Sequence, residues 1–336
     1  MGGFGLDWER RRLPQVPEAE LVAWVDPEPA MLARAQERVG ARPEDCFAGL
    51  AEALDRRDAD AVLITTPVDG HMPVAIEAMR AGLHVVTEKP FAADLAQAKE
   101  AIAVAEETGR ILMVSQNYRY QPAARTAAAL VADKTLGELG GIRVDFRKWA
   151  NDAEPGTNKH YRLRHPLLYD MAIHHFDLMR YVSGREARSV YTQITDPPWS
   201  RFVEEASATV TVTLDDGLVV SYRGSWVSPG EPTTWSGDWH LECEDGEIFW
   251  TGRSGDDDAP HEVVRLRRRG APDRPETPQL VDVPRPGRAG VLTALIRAIE
   301  TGEEPDTSGR RNLGTLALME AAARSAASGQ VEPVEL

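Results

Sequence analysis

The chain has 336 residues, of which 27% are charged and 42% hydrophobic, and its formal net charge is −15. That length exceeds one small core and suits two ordinary domains. So acidic a balance disfavours nucleic acid and anionic membranes as partners, yet leaves a small-molecule substrate open, because a local basic pocket can sit inside an acidic shell. No apolar run is long enough to span a bilayer, and no signal peptide is evident. Cys46 and Cys243 form neither a metal spacing nor a disulfide framework, so a reducing cytosol and no metal are expected.

The sequence opens MGGFG. A helix-starting nucleotide fingerprint, G-x-G-x-x-G, uses its glycines for a tight turn, for close approach to pyrophosphate and for helix–strand packing. Gly2, Gly3, Phe4 and Gly5 fit its last four positions. ELVAWVD then reads as a buried strand ending at Asp26, about 20 residues on, where the fingerprint expects an acid for the ribose hydroxyls. The chain therefore reads as starting inside the phosphate loop, without the first strand and first glycine. PAMLARAQERVG places Met31, Leu32, Ala35 and Val39 on one helical face and stops at Gly40. DAVLITTP is a strand over about 61–65, followed by a helix with Pro73 in its first turn and Gly82 beyond its end. HVVTEKP is a strand stopped by Pro90, and the next helix takes Asp94 as its N-cap. ILMVSQN is a further strand. Strands alternating with such helices imply a parallel sheet covered on both faces.

The pattern changes after about Pro122. GIRVDFRKW alternates with period two, and SATVTVTLDDGLVVSYRGSW is two alternating strands around Asp216-Gly217, a hairpin signal. DWHLECEDGEIFWTG reads as a second hairpin. Helices are expected around 167–182, 289–300 and 309–327, and RSGDDDAPHE as a charged, solvated loop. The fold expected is thus an α/β Rossmann domain over 1–120, lacking its first strand, then an α+β domain over 121–336 with an open, mainly antiparallel sheet. Trp226, Trp235, Trp239 and Trp250 are expected to pack on that sheet, whose uncovered face should carry Trp and Val and meet a second copy.

Three stretches carry a family resemblance: HVVTEKPFA with Glu88-Lys89-Pro90 at a strand end, SQNYRYQPA at 115–123, and LLYDMAIHHFDLMRYVSG at 167–184, an Asp-x-x-x-His-x-x-Asp helix. Together they resemble the glucose–fructose oxidoreductase/inositol dehydrogenase/rhizopine-catabolism (Gfo/Idh/MocA) family along essentially the whole chain. The resemblance implies an NAD(P)-dependent oxidoreductase acting on a secondary hydroxyl of a sugar, inositol or related polyol, as a cytoplasmic homodimer or homotetramer through the open sheet. It implies a catalytic set of Lys89, Asp170 and His174. It implies a cofactor site of Gly2, Gly3, Phe4, Gly5, Asp26, Thr66, Pro67, His71, Glu88, Lys89 and Asn117, and a substrate site of Arg119, His160, Tyr161, Arg164 and His175.

The residue chemistry agrees. Asp170 and His174, four apart, share one face of an α-helix, and a carboxylate beside an imidazole supports general acid–base work. Lys89 ends a strand at the carboxyl edge of the sheet, where ligands of doubly wound folds bind and an ammonium can stabilise a developing alkoxide. Asp177 is placed to pin His174, and Arg119 either to hold a substrate or to brace the crossover. Asp26 accepts from ribose hydroxyls and repels a 2′-phosphate, which favours NAD over NADP. One departure from the family is RHPLLYD, with His165-Pro166 where the family has a glycine-rich entry to the catalytic helix, so the pocket mouth is shaped differently. Two other readings stand beside the oxidoreductase: an NAD-dependent glycosidase that recycles its hydride, and a cofactor-deficient binding protein, which the truncated glycine loop favours.

Overall fold

The computed structural model describes residues 3–154, 157–253 and 262–336. Gly2 of the glycine segment and residues 254–261 of the charged loop lie outside them. The chain folds as two compact units, Met1–Asn117 with Pro284–Leu313, and Tyr118–Val283 with Gly314–Leu336. A boundary drawn at 120/121 from sequence misses the return of 284–313 to the first unit, because nothing in that segment's own pattern says which core it joins.

In the first unit, β1 (Trp24–Val25) pairs in parallel with β2 (Cys46–Phe47), and β3 (Ala61–Ile64), β4 (His84–Thr87) and β5 (Leu112–Val114) form a second parallel sheet in that order. Val85, Val86, Met113 and Val114 are buried on consecutive positions, as a sheet covered on both faces requires. The strand expected over ELVAWVD is only two residues long, and β2 and the helix Leu50–Leu54 are too short to show a period. The helices Pro29–Val39, His71–Arg80 and Leu95–Thr108 lie where the periodicity puts them. Gly40 and Gly109 end the first and third in the left-handed region, which costs a residue without Cβ nothing. Asp94 caps the third, its carboxylate accepting from the Gln97 N–H at 2.8 Å. Residues Gly3–Asp7 are α-helical and continue as a π-helix over Trp8–Arg12, so Gly3, Phe4 and Gly5 open a helix.

The second unit is built on eight strands: β6 (Leu139–Arg147), β7 (Ala187–Thr195), β8 (Ser207–Leu214), β9 (Val219–Ser225), β10 (Asp238–Cys243), β11 (Gly246–Thr251), β12 (Val263–Arg268) and β13 (Glu332–Pro333). Their order is β12-β11-β10-β6-β9-β8-β7-β13. Every pairing is antiparallel except β6 with β9. The β8–β9 hairpin turns at Asp216-Gly217, with Gly217 at φ +89° and the Leu214 N–H bonded to the Leu218 carbonyl at 2.8 Å. The helix that carries Asp170 and His174 starts as a π-helix over Pro166–Ala172 and becomes α over Ile173–Ser183. The helix Pro122–Ala132 was not expected, its alanines giving weak periodicity.

Alternation places Val210, Val212, Leu214, Val220 and Tyr222 inward, while Thr209, Thr211, Ser221 and Arg223 point out. The expectation of a Trp- and Val-bearing open face is therefore corrected. Trp239 and Trp250 are fully buried, stacked at 4.9 Å with planes 20° apart, and Trp226 is buried too. The tryptophans are in register to share the covered face, since Trp239 pairs directly with Trp250 across β10–β11. Replacing Trp250 by Ala removes half of this stack and leaves a cavity. A loss of about 3–5 kcal/mol is expected in urea unfolding of the full chain.

Candidate active site

In the first unit, the parallel strands deliver their chemistry to one edge. Thr66 and Pro67 follow β3 and are exposed, Glu88 and Lys89 follow β4, and Ser115 to Asn117 follow β5. Glu88 is only 7% exposed. The fully buried Trp8 donates from Nε1 to Glu88 Oε1 at 2.6 Å, and Arg288 Nε lies 3.6 Å from the same oxygen while its guanidinium also pairs with Asp7. The Lys89 N–H donates to Glu88 Oε2 at 3.3 Å. Glu88 is thus an internal anchor that fixes the backbone carrying Lys89, itself half-buried. His71 is buried, with Nδ1 2.8 Å from the Pro90 carbonyl and Nε2 2.9 Å from the Thr66 carbonyl. It clasps the two strand-end turns to each other. Asp26 stands at the end of β1, its Oδ1 accepting from the Glu28 N–H at 3.0 Å. Ser115 Oγ, just past β5, is buried without a hydrogen-bond partner among the described residues, an orphan hydroxyl of the kind a bound nucleotide satisfies.

In the second unit, Asp170 sits in the π-helical turn with Oδ2 3.1 Å from His160 Nε2. His174 lies in the first turn of the α-helical part and stacks on Tyr118, ring centroids 4.2 Å apart and planes 4° apart. Asp177 takes a bidentate pair from Arg119, at 2.6 Å from Nε and 2.8 Å from Nη2, and a third bond from Thr315 Oγ1 at 2.9 Å. Arg119 and Asp177 thus brace one another within the second unit. Tyr161 is fully buried, its hydroxyl accepting from the Ala153 N–H at 3.0 Å, and Arg164 is exposed. His165 adopts φ +42° at the helix entry, with Nδ1 3.6 Å from Glu204 and 3.9 Å from Glu205. The sequence offered no signal for the π-turn or for the His160–Asp170 contact, which needs a short turn to fold back over ten residues.

His175, one residue along, is fully buried between the Tyr222 hydroxyl (3.1 Å from Nδ1) and the Trp235 carbonyl (3.0 Å from Nε2). That makes it a core histidine and not a rim residue.

Residues 2–116 match the oxidoreductase family with an NAD-binding Rossmann fold, and residues 124–249 match the GFO/IDH/MocA C-terminal domain. The chain belongs to the Gfo/Idh/MocA oxidoreductase family. A D-apiose dehydrogenase of Paraburkholderia graminis is 29% identical over 93% of this chain and 82% of its own length. An inositol 2-dehydrogenase of Rhizobium meliloti is 26% identical over 92% of this chain and 90% of its own. The crystal structure of the Caulobacter crescentus aldose-aldose oxidoreductase, complexed with glycerol, superposes with a TM-score of 0.82 at 24% identity, over 98% of this chain and 97% of that one. As a Gfo/Idh/MocA member the chain is an enzyme, an oxidoreductase acting on CH–OH groups. No helix among the described residues is long and apolar enough to cross a membrane.

Burial pushes the His175 imidazole down to about 4, from an ordinary value near 6.5. Between those values the unfolded chain binds a proton that the fold refuses, so this group's contribution is complete above about pH 6.5 and is lost as pH falls toward about 4. The difference is worth about 3 kcal/mol. In urea unfolding at pH 7 and pH 4.5, His175→Gln should lose much of the wild-type acid sensitivity. An unchanged pH slope would assign that sensitivity to other groups.

Proposed function

We propose that this Gfo/Idh/MocA member uses NAD to oxidise a secondary hydroxyl of a sugar, inositol or related polyol. The observation that carries the reading is the joint presence of a strand-end Lys89 on a fixed Glu88 anchor and of Asp170 and His174 on one helix of the second unit. The family's NAD-binding description and the polyol and aldose names of the relatives support it. Asp26, Thr66, Pro67 and the orphan Ser115 hydroxyl suit the adenosine and nicotinamide ends of a dinucleotide. NAD, when bound, supplies the hydride acceptor.

The chain's own residues do the rest. Lys89 hydrogen-bonds the reacting hydroxyl and stabilises negative charge as it develops on oxygen. His174 takes the hydroxyl proton, its ring held flat against Tyr118 so that its nitrogens keep a fixed direction. Asp170 places a carboxylate on the same helix, four residues before that base. Asp26, by its charge, selects NAD over its 2′-phosphorylated form. The polar outer face of the large sheet, with Thr209, Thr211, Ser221 and Arg223, is the surface we assign to a homodimer or homotetramer, in the cytosol.

Two measurements check this. With NAD and a panel containing myo-inositol, scyllo-inositol and D-apiose, net NADH should form with at least one member, and Lys89→Ala should cut turnover by about 10²–10³. Near wild-type turnover in that variant would make Lys89 structural. In calorimetry NAD should bind more tightly than NADP, and Asp26→Ala should narrow the gap. A wild-type preference for NADP would remove the role given to Asp26.

A further inference from the structure

Asp170 is one-third exposed, and a carboxylate so placed keeps several rotamers unless a partner selects one. His160 is such a partner, with Nε2 3.1 Å from Asp170 Oδ2. It lies on the short turn Lys159–Arg162, started by Asn158, whose side chain accepts from the His160 N–H at 3.0 Å. Its ring is gripped edge-on by Phe202 (5.2 Å, 78°) and Trp226 (5.0 Å, 89°). Trp226 in turn donates from Nε1 to the Pro166 carbonyl at 3.2 Å, the first residue of the π-turn that bears Asp170. The same tryptophan therefore sets both the imidazole and the backbone of its carboxylate partner. The next residue, Tyr161, is locked in the core by the Val203 N–H on its carbonyl (2.8 Å) and the Ala153 N–H on its hydroxyl (3.0 Å). The turn cannot drift without breaking these.

We infer that His160 is a positioning residue: its Nε2 proton, donated to Asp170 Oδ2, holds that carboxylate in its working orientation. The inference rests on the reading of Asp170 as part of the catalytic set. It replaces direct substrate contact as the role of His160, because the ring nitrogen facing the helix is already engaged by Asp170. A charge-assisted bond of this kind is among the stronger orienting contacts available to a partly exposed side chain.

Four variants of the full chain test it: His160→Phe, which keeps an aromatic ring between Phe202 and Trp226 but lacks the donor; His160→Gln, which restores an N–H donor; Asp170→Asn; and the double variant His160→Phe/Asp170→Asn. A long-range proton–nitrogen spectrum of the imidazoles needs no substrate. The His160 Nε2 signal, identified by its loss in His160→Phe, should move in Asp170→Asn. An unmoved signal overturns the proposal. In NADH formation from the most active member of the polyol panel, His160→Phe should lower kcat about tenfold with KM changed by less than about threefold, in the range seen when an orienting partner is removed. His160→Gln should recover most of that loss, and the double variant should be no worse than about twofold below Asp170→Asn, because the two residues act as one unit. A raised KM with multiplicative losses would mean direct substrate contact, and a His160→Gln as damaged as His160→Phe would mean a packing role only. Either result overturns positioning. Wild-type turnover in Asp170→Asn is a separate failure, that of Asp170 as catalytic, and it takes the positioning role with it.

Discussion

The buried ion pair between Arg119 and Asp177 is the constraint on which the second unit's chemistry depends. Two charges taken out of water cost more than their attraction returns unless the geometry is excellent and the remaining lone pairs are satisfied. Here the contact is bidentate, Thr315 adds a third bond, and Thr315 also accepts from Arg180, which is held by Glu186. The pair ties the segment carrying Tyr118 to the helix carrying His174, since Tyr118 precedes Arg119 and His174 lies three residues before Asp177. The near-parallel stack of the two rings is a consequence of that tie. Arg253 also lies over the Tyr118 ring, its guanidinium 4.5 Å from the centroid, so the stack is confined by a cation as well.

The first unit solves the same problem with different parts. Lys89, to which we assign the contact with the reacting hydroxyl, lies two residues past the end of β4, and a strand end alone does not fix the chain that leaves it. The Glu88 carboxylate holds the backbone there by accepting from the Lys89 N–H while Trp8 and Arg288 hold the carboxylate from within. His71 joins the turns after β3 and β4 through two backbone carbonyls. In both units a buried carboxylate holds a neighbouring segment in place, Glu88 the backbone of Lys89 and Asp177 the side chain of Arg119.

Much of this was legible in the sequence. Lys89 is singled out by the family resemblance, whereas the strand ends and the helix stops at Gly40 and Gly109 follow from local periodicity and from residues with one conformational role. Asp216-Gly217 announces its hairpin for the same reason. What was not legible depends on contacts between distant segments. Arg119 and Asp177 each had a stated role in the sequence, but their mutual pairing spans 58 residues and no local pattern encodes it. The π-turn at Pro166–Ala172 changes the environment of Asp170 without any signature in residue type. The tryptophans of β10 and β11 were assigned to the wrong face because alternation gives two faces and does not say which is covered. The return of residues 284–313 to the first unit is invisible for the same reason.

Under the proposed function, hydride leaves a carbinol carbon of the substrate for the nicotinamide. Supplying the full chain with NAD and polyols deuterated at their carbinol carbons, and weighing the nicotinamide product by mass spectrometry, tests it directly. NADH heavier by one deuterium should form with each turnover. Unlabelled NADH, or a consumed substrate with label returned to the sugar and no net NADH, would contradict it.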